Sequence, residues 1–257
     1  MLSRSALPLL LLAALAAAFV FSYSALSAAS VNPAQQTLTT VASELPAAPT
    51  PVPTRKPGPR WRSLVVRGSV PLRERPNGRV VTRVGTSTEF GSARVMSVAG
   101  RRGPWLGVVT TEMPNGKLAW VHRHNPGLRA RRGAYSLHAD LSGRRLELRR
   151  GGRVIRRISV AIGRPGSETP TGRFAVTDKL RGGSYGPYYG CCILALNAHQ
   201  PNLPAGWQGG NRIAIHGTNS PGTIGSPASA GCLRAADSDL EVLMRRVPLG
   251  TPVFINN

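Results

Sequence analysis

The chain has 257 residues, long enough for one large domain or two modest ones with real cores. It carries 33 Lys and Arg against 11 Asp and Glu, a formal net charge of +22, and Lys56, Lys117 and Lys179 are its only lysines. That surplus attracts polyanions. However, no arginine cluster is interleaved with aromatic residues, and there is no zinc-finger, helix-turn-helix or RNA-binding signature, so nucleic acid is not expected as a partner. The plain alternative for the charge is a solvated, arginine-rich surface.

In chain order, the first segment has one early cation, Arg4, an apolar run from Leu7 to Phe21, and small residues at Ser27, Ala28 and Ala29. This is the order of a secretory signal, and the run is shorter than the roughly 18 to 20 residues of a spanning helix. Residues 1–29 are therefore expected to be a signal peptide. Counting in Ser22 to Leu26 leaves an uncleaved anchor as the alternative, the one case in which the chain meets a membrane. Either way the bulk of the chain is expected to be exported. Residues 30–60 are rich in Pro, Ala and Thr, lack a periodic apolar face, and read as an extended linker.

From Trp61 the pattern changes. Short β-branched runs are split by Pro-Asn-Gly at 76–78, Arg-Gly-Pro at 102–104 and Pro-Asn-Gly at 114–116, which predicts a small antiparallel barrel over 61–126. The order "VPLRERPNG", "WLGVV", "GKLAWVH" resembles a bacterial SH3-like domain. That resemblance implies a wall-binding or spacer module.

Residues 133–257 form a second strand-rich region: "AYSLHADL", "RRLELRRGGRVIRRISVAIG", "GRFAVTD", "CILALN", "RIAIHG" and "TPVFIN". One helix is expected from Ser238 to Val247. Ser238 and Glu241 have capping-box spacing, and Leu240, Leu243, Met244 and Val247 make one apolar face. The fold class is thus mainly β with one clear helix.

The candidate site is His216 at the end of "RIAIH" and Cys232 in a small-residue turn shortly before the helix. Taken alone, His216 suits a structural role, and Cys232 suits a small buried hydrophobe. Together they suit a nucleophile and its base, since an imidazole or a helix N-terminus near a thiol lowers its pKa. Gly231 permits an unusual backbone conformation, and the N–H groups of Gly231 and Cys232 could face a developing oxyanion. Two ligands do not make a zinc set of three or four, so no metal is expected. Nucleophilic acyl transfer is the favoured chemistry.

The stretch "IAIHGTNSPGTIGSPASAGCLRAADSDLEVLMRRVPLGTPVFI" closely resembles the H-G-T … S-x-G-C-[IVL]-R motif of the YkuD-type L,D-transpeptidases, and Thr169 to Phe174 match the family's T-P-T-G-x-F turn. The resemblance covers roughly Tyr135 to Ile255. It implies a β-sandwich or barrel whose cysteine cross-links peptidoglycan stem peptides, with no cofactor, and it makes Cys232 the nucleophile and His216 the base. Ser229, Gly231 and Arg234 then serve turn geometry, oxyanion donation and positioning of the nucleophile loop, and the Gly217 carbonyl orients the imidazole. Anionic wall polymers are the second expected partner.

Many family members carry histidine where this chain has Ala230, so any role of that side chain is either absent here or served by backbone or water. Rival readings keep the chemistry but use water or a protein amine as acceptor, or take the chain as a non-catalytic wall-binding protein. Cys191 and Cys192 read either as two packed thiols, as a vicinal bridge, or as one partner of a regulatory disulfide to Cys232. "GGSYGPYYG", 182–190, reads equally as a substrate-lining loop or as a plain turn.

Overall fold

The computed structural model describes residue 58 and residues 60–257; the expected signal or anchor and nearly all of the linker lie outside the described residues. Two large sheets and one short strand pair make up the fold of the described residues. The first contains β1 (Trp61–Val66), β2 (Val70–Arg73), β3 (Val80–Val84), β4 (Val95–Arg102), β5 (Trp105–Val109), β6 (Ala119–His122) and β7 (Leu128–Gly133), paired in the order β3-β2-β6-β5-β4-β1-β7. All its pairings are antiparallel. The three expected turns join β2 to β3, β4 to β5 and β5 to β6. Asn77, Gly103 and Gly116 take the positive φ that such tight connections demand. Alternation along the strands turns Leu64, Val66, Leu72, Leu106, Val108 and Val121 into one buried cluster.

The expected end of this module, residue 126, falls one strand short. β7 pairs with β1 along its whole length, from Trp61 opposite Gly133 to Val66 opposite Leu128. Its sequence, Leu-Arg-Ala-Arg-Arg-Gly, has no apolar alternation because, beyond Leu128 on the cluster, only its backbone is engaged. An edge strand held mainly by ladder hydrogen bonds leaves no periodic signature, and exposed arginines on it discourage pairing with another chain.

The second sheet contains β8 (Tyr135–Asp140), β9 (Arg145–Arg150), β10 (Arg153–Ser159), β12 (Gly172–Arg181), β13 (Cys192–His199), β14 (Arg212–His216), β16 (Leu233–Arg234) and β17 (Pro252–Asn256). Its order is β10-β9-β8-β17-β12-β13-β14-β16, with β11 (Ile162–Gly163) and β15 (Pro227–Ser229) as a separate parallel pair. The fold is mainly β, as expected. β13 is buried over seven successive residues, the mark of a central strand covered on both faces.

Helix α1 (Asp237–Arg246) packs on β13 and β14 through buried Leu240 and Leu243. Val247 is buried as expected, and Met244 packs against the same core. The expected capping box does not form. The helix starts one residue earlier than Ser238, Ala236 is its N-cap, and no side chain caps it.

The two sheets are fastened together within one compact unit. Asn115 exchanges two hydrogen bonds with the backbone of His199, at 2.6 and 2.9 Å. Arg212 pairs with Glu89, Thr88 bonds Asp178, and the Trp61 and Phe254 rings lie 5.3 Å apart.

Candidate active site

β14, the next-to-last strand of the second sheet, ends on His216, which is fully buried. Its Nδ1 lies 2.6 Å from the Gly217 carbonyl oxygen. A carbonyl only accepts, so Nδ1 carries the proton and Nε2 keeps its lone pair. Nε2 is buried and has no hydrogen-bond partner. Burial is the main influence on the ring and depresses its pKa to about 4; Arg234 acts the same way, while the Gly217 carbonyl and Asp237 oppose both. At neutral pH the imidazole is therefore an uncharged base with a free acceptor. The expected Gly217 contact is present.

β16 runs parallel to β14, with Ile215 opposite Leu233 and His216 opposite Arg234. This register places Cys232 just before the strand, beside the residues that lead to His216. Three contacts shape its turn. Ser229 Oγ accepts from the Gly231 N–H at 3.0 Å and donates to the Cys232 carbonyl at 2.6 Å, clamping the turn across its neck. Gly231 has φ +116, which a side chain rarely adopts, and a Cβ there would meet Gln200 Nε2 at 2.2 Å. Gln200 itself donates to the carbonyls of Ala230 and Glu168, both at 3.0 Å.

Ser229, expected to serve turn geometry, makes both of these turn contacts. The expected oxyanion donation by Gly231 does not hold in this geometry, because its N–H is spent on Ser229 and leaves the Cys232 N–H as the remaining donor. The Ala230 backbone carbonyl is held by Gln200. Gln200 was not singled out from the sequence, since a lone glutamine after a strand carries no motif.

The T-P-T-G segment supports the same turn from below. Thr169 Oγ1 accepts from the Gly163 N–H at 2.8 Å, and β11, which contains Gly163, pairs with β15 up to Ser229.

The thiol differs from expectation. Burial raises the Cys232 pKa above its ordinary value, against the smaller opposing pulls of the Ala214 backbone amide and Arg234. The helix does not start until Asp237 and brings Asp237 and Asp239 in its first turn. Desolvation outweighs the local charges, so the resting pair is a thiol beside a neutral imidazole, and no ion pair forms.

The segment 182–190 lies beside the site. The rings of Tyr188 and Tyr189 stand 5.6 and 4.9 Å from the His216 ring. Tyr188, Tyr189, Leu203, Trp207 and Ala230 line a cleft that reaches Cys232. Arg234 is buried, lies 4.4 Å over the Tyr188 ring and donates to its hydroxyl. These contacts tie Arg234, expected to position the nucleophile loop, to the tyrosine segment.

Cys191 and Cys192 are joined as a vicinal disulfide and Cys232 is free, which corrects both the packed-thiol reading and the bridge to Cys232. Among the described residues no group of three or more His, Cys, Asp or Glu is placed to hold a metal ion.

A free cysteine, an oriented imidazole and a clamped turn are the parts that cysteine acyl transfer requires, and here they sit on a mainly β domain. Residues 134–255 match the profile of the YkuD family, described as the L,D-transpeptidase catalytic domain. A relative in Bacillus subtilis (strain 168), named as L,D-transpeptidase YkuD, is 32% identical over 124 residues, covering 48% of this chain and 66% of that protein. A Bacillus licheniformis counterpart is 32% identical over 123 residues, with 47% and 65% covered. The chain thus spans just under two thirds of the length of these relatives. Among solved structures, an L,D-transpeptidase from Mycobacterium smegmatis is 16% identical, covers 68% of this chain and 93% of its own, and has a TM-score of 0.39.

Proposed function

We propose that the chain is an exported cysteine L,D-transpeptidase acting on peptidoglycan stem peptides. The observation that carries this reading is the buried, unpartnered His216 Nε2 on a ring whose other nitrogen is held by Gly217, on the strand beside Cys232. Cys232 attacks the carbonyl of the diamino acid at position three of a donor stem while His216 Nε2 takes the thiol proton. The Cys232 N–H faces the developing oxyanion. Collapse expels the terminal D-residue, whose amine leaves with the proton from His216, and a thioester remains on Cys232. The side-chain amine of a neighbouring stem then attacks the thioester, His216 takes its proton, and the thiol is regenerated. Because both resting groups are neutral, the thiolate forms only as substrate is attacked.

Incubating the full chain with purified stem tetrapeptides tests this by mass spectrometry. The expected products are a covalent adduct on Cys232 that lacks the terminal D-residue, and a cross-linked dimer. Release of the tripeptide without dimer would assign water as acceptor, and absence of any adduct would overturn the reading.

The first sheet is proposed as an SH3-like wall-binding module. Its support is the exposed arginine edge of β7, Arg129, Arg131 and Arg132, which lies beside no acidic strand. Deleting the module would unmake the Asn115, Glu89 and Trp61 contacts with the catalytic sheet, so charge removal is the cleaner test. Replacing the three arginines by serine is expected to weaken pull-down on intact sacculi and leave turnover of soluble stem peptides unchanged. Native binding should also fade between about 0.1 and 1 M salt, as the Debye length falls from about 10 to about 3 Å. Binding indifferent to both the substitutions and salt would make the module a spacer.

A further inference from the structure

Asp237 is the first residue of α1, where an acidic side chain usually serves its own helix N-terminus. Here the carboxylate turns elsewhere. Oδ2 accepts from the Cys191 N–H at 3.0 Å, and Oδ1 accepts from the Thr218 N–H at 3.2 Å. One carboxylate therefore joins the start of the helix, the end of the tyrosine segment and the backbone just past His216. The space for it is made by two glycines. A Cβ on Gly217 would lie 2.0 Å from Oδ1, and one on Gly190 would lie 2.2 Å from it.

The consequence concerns the orienting contact. The Gly217 carbonyl that receives His216 Nδ1 belongs to the peptide unit whose N–H is the Thr218 N–H held by Asp237. A peptide unit is planar, so fixing its N–H fixes the direction of its C=O. On the other side, the Gly217 N–H donates to the Cys192 carbonyl at 3.0 Å, next to the residue whose N–H also goes to Asp237. We propose that Asp237 is the positioning residue of the catalytic dyad: through the Gly217–Thr218 peptide it holds the carbonyl that sets the tautomer and direction of His216. It touches neither thiol nor substrate and acts only through that peptide and through its charge.

The proposal rests on the reading of His216 as the base, and it can be tested apart from that reading. The charged and titratable groups facing His216 are Asp237 on α1, Arg234 on β16, Tyr188 and Tyr189 before β13, and Cys232. Asp237 is the only fixed negative charge in that set, and it favours the protonated ring. Asp237→Asn keeps one acceptor and removes the charge. Asp237→Ala removes both acceptors.

Nitrogen NMR of the full chain reads the His216 ring directly. In Asp237→Asn the ring is expected to keep its Nδ1–H tautomer and titrate at lower pH, with the acid limb of kcat/KM moving the same way. In Asp237→Ala the tautomer signature is expected to become mixed, and kcat to fall by roughly 10- to 100-fold at near-constant KM, as misoriented catalytic groups do. A loss of thermal stability with His216 titration and tautomer unchanged in both variants would overturn the proposal and leave Asp237 a brace for the helix. If Asp237→Ala does not fold, the titration in Asp237→Asn decides alone. Should the ring respond as expected while the native chain shows no acyl transfer, the positioning role stands and the transpeptidase reading falls.

Discussion

Replacing Cys232 by alanine is expected to abolish both the stem-peptide adduct and the cross-linked product. The fold should persist, because the change removes one sulfur from a half-buried turn position whose shape is set by Ser229, Gly231 and Gln200. A loss within about 1 kcal/mol is the ordinary outcome at such a site. Alkylation gives an independent readout. In the unreduced chain Cys191 and Cys192 are joined, so iodoacetamide should modify the native protein once and the variant not at all. Adduct formation by the variant would remove Cys232 from the mechanism.

Replacing His216 by glutamine is expected to lower turnover by roughly 10² to 10⁴, the usual cost of losing a general base. The pH profile gives the sign. The ring titrates near 4, below the ordinary value, so the native enzyme should keep its base uncharged from neutral pH down to about pH 4, and activity should fall only as pH drops through that value. The variant should show no such acid limb. Its Cys232 should still alkylate with a midpoint above that of an ordinary thiol, because burial, and not the imidazole, dominates the sulfur. A midpoint that rises further in His216→Gln would show instead that the imidazole was lowering the thiol all along, and an acid limb near 6.5 in the native protein would place the ring in a wetter setting than the buried one seen here.

The alternating and β-branched runs that predicted strands from Ala134 onward became β8 to β10, β12 to β14 and β17, because a strand with one buried face leaves a period of two in its own sequence. The turns at 76–78, 102–104 and 114–116 were legible for a similar reason, since positive φ strongly favours Gly and Asn, and these turns place them there. His216 and Cys232 could be singled out because the chemistry needs those two residue types and the motif spaces them within one loop. Gly217 as the orienting carbonyl came from the family resemblance, whereas Asp237, in the same quoted stretch, was not singled out although it bonds the N–H of that carbonyl's peptide unit.

What only the tertiary structure decided depends on contacts between segments far apart in the chain. β7 is a strand because β1 pairs with it, and its arginines carry no trace of that. The Gly231 N–H is unavailable to an oxyanion because Ser229 takes it, and the thiol is raised where its neighbours in sequence suggested it would be lowered. That reversal follows from desolvation, which grows with the number of segments packed around a group. In this chain β14, β16 and the tyrosine segment all close on the same two side chains, and no local pattern records how much water they exclude.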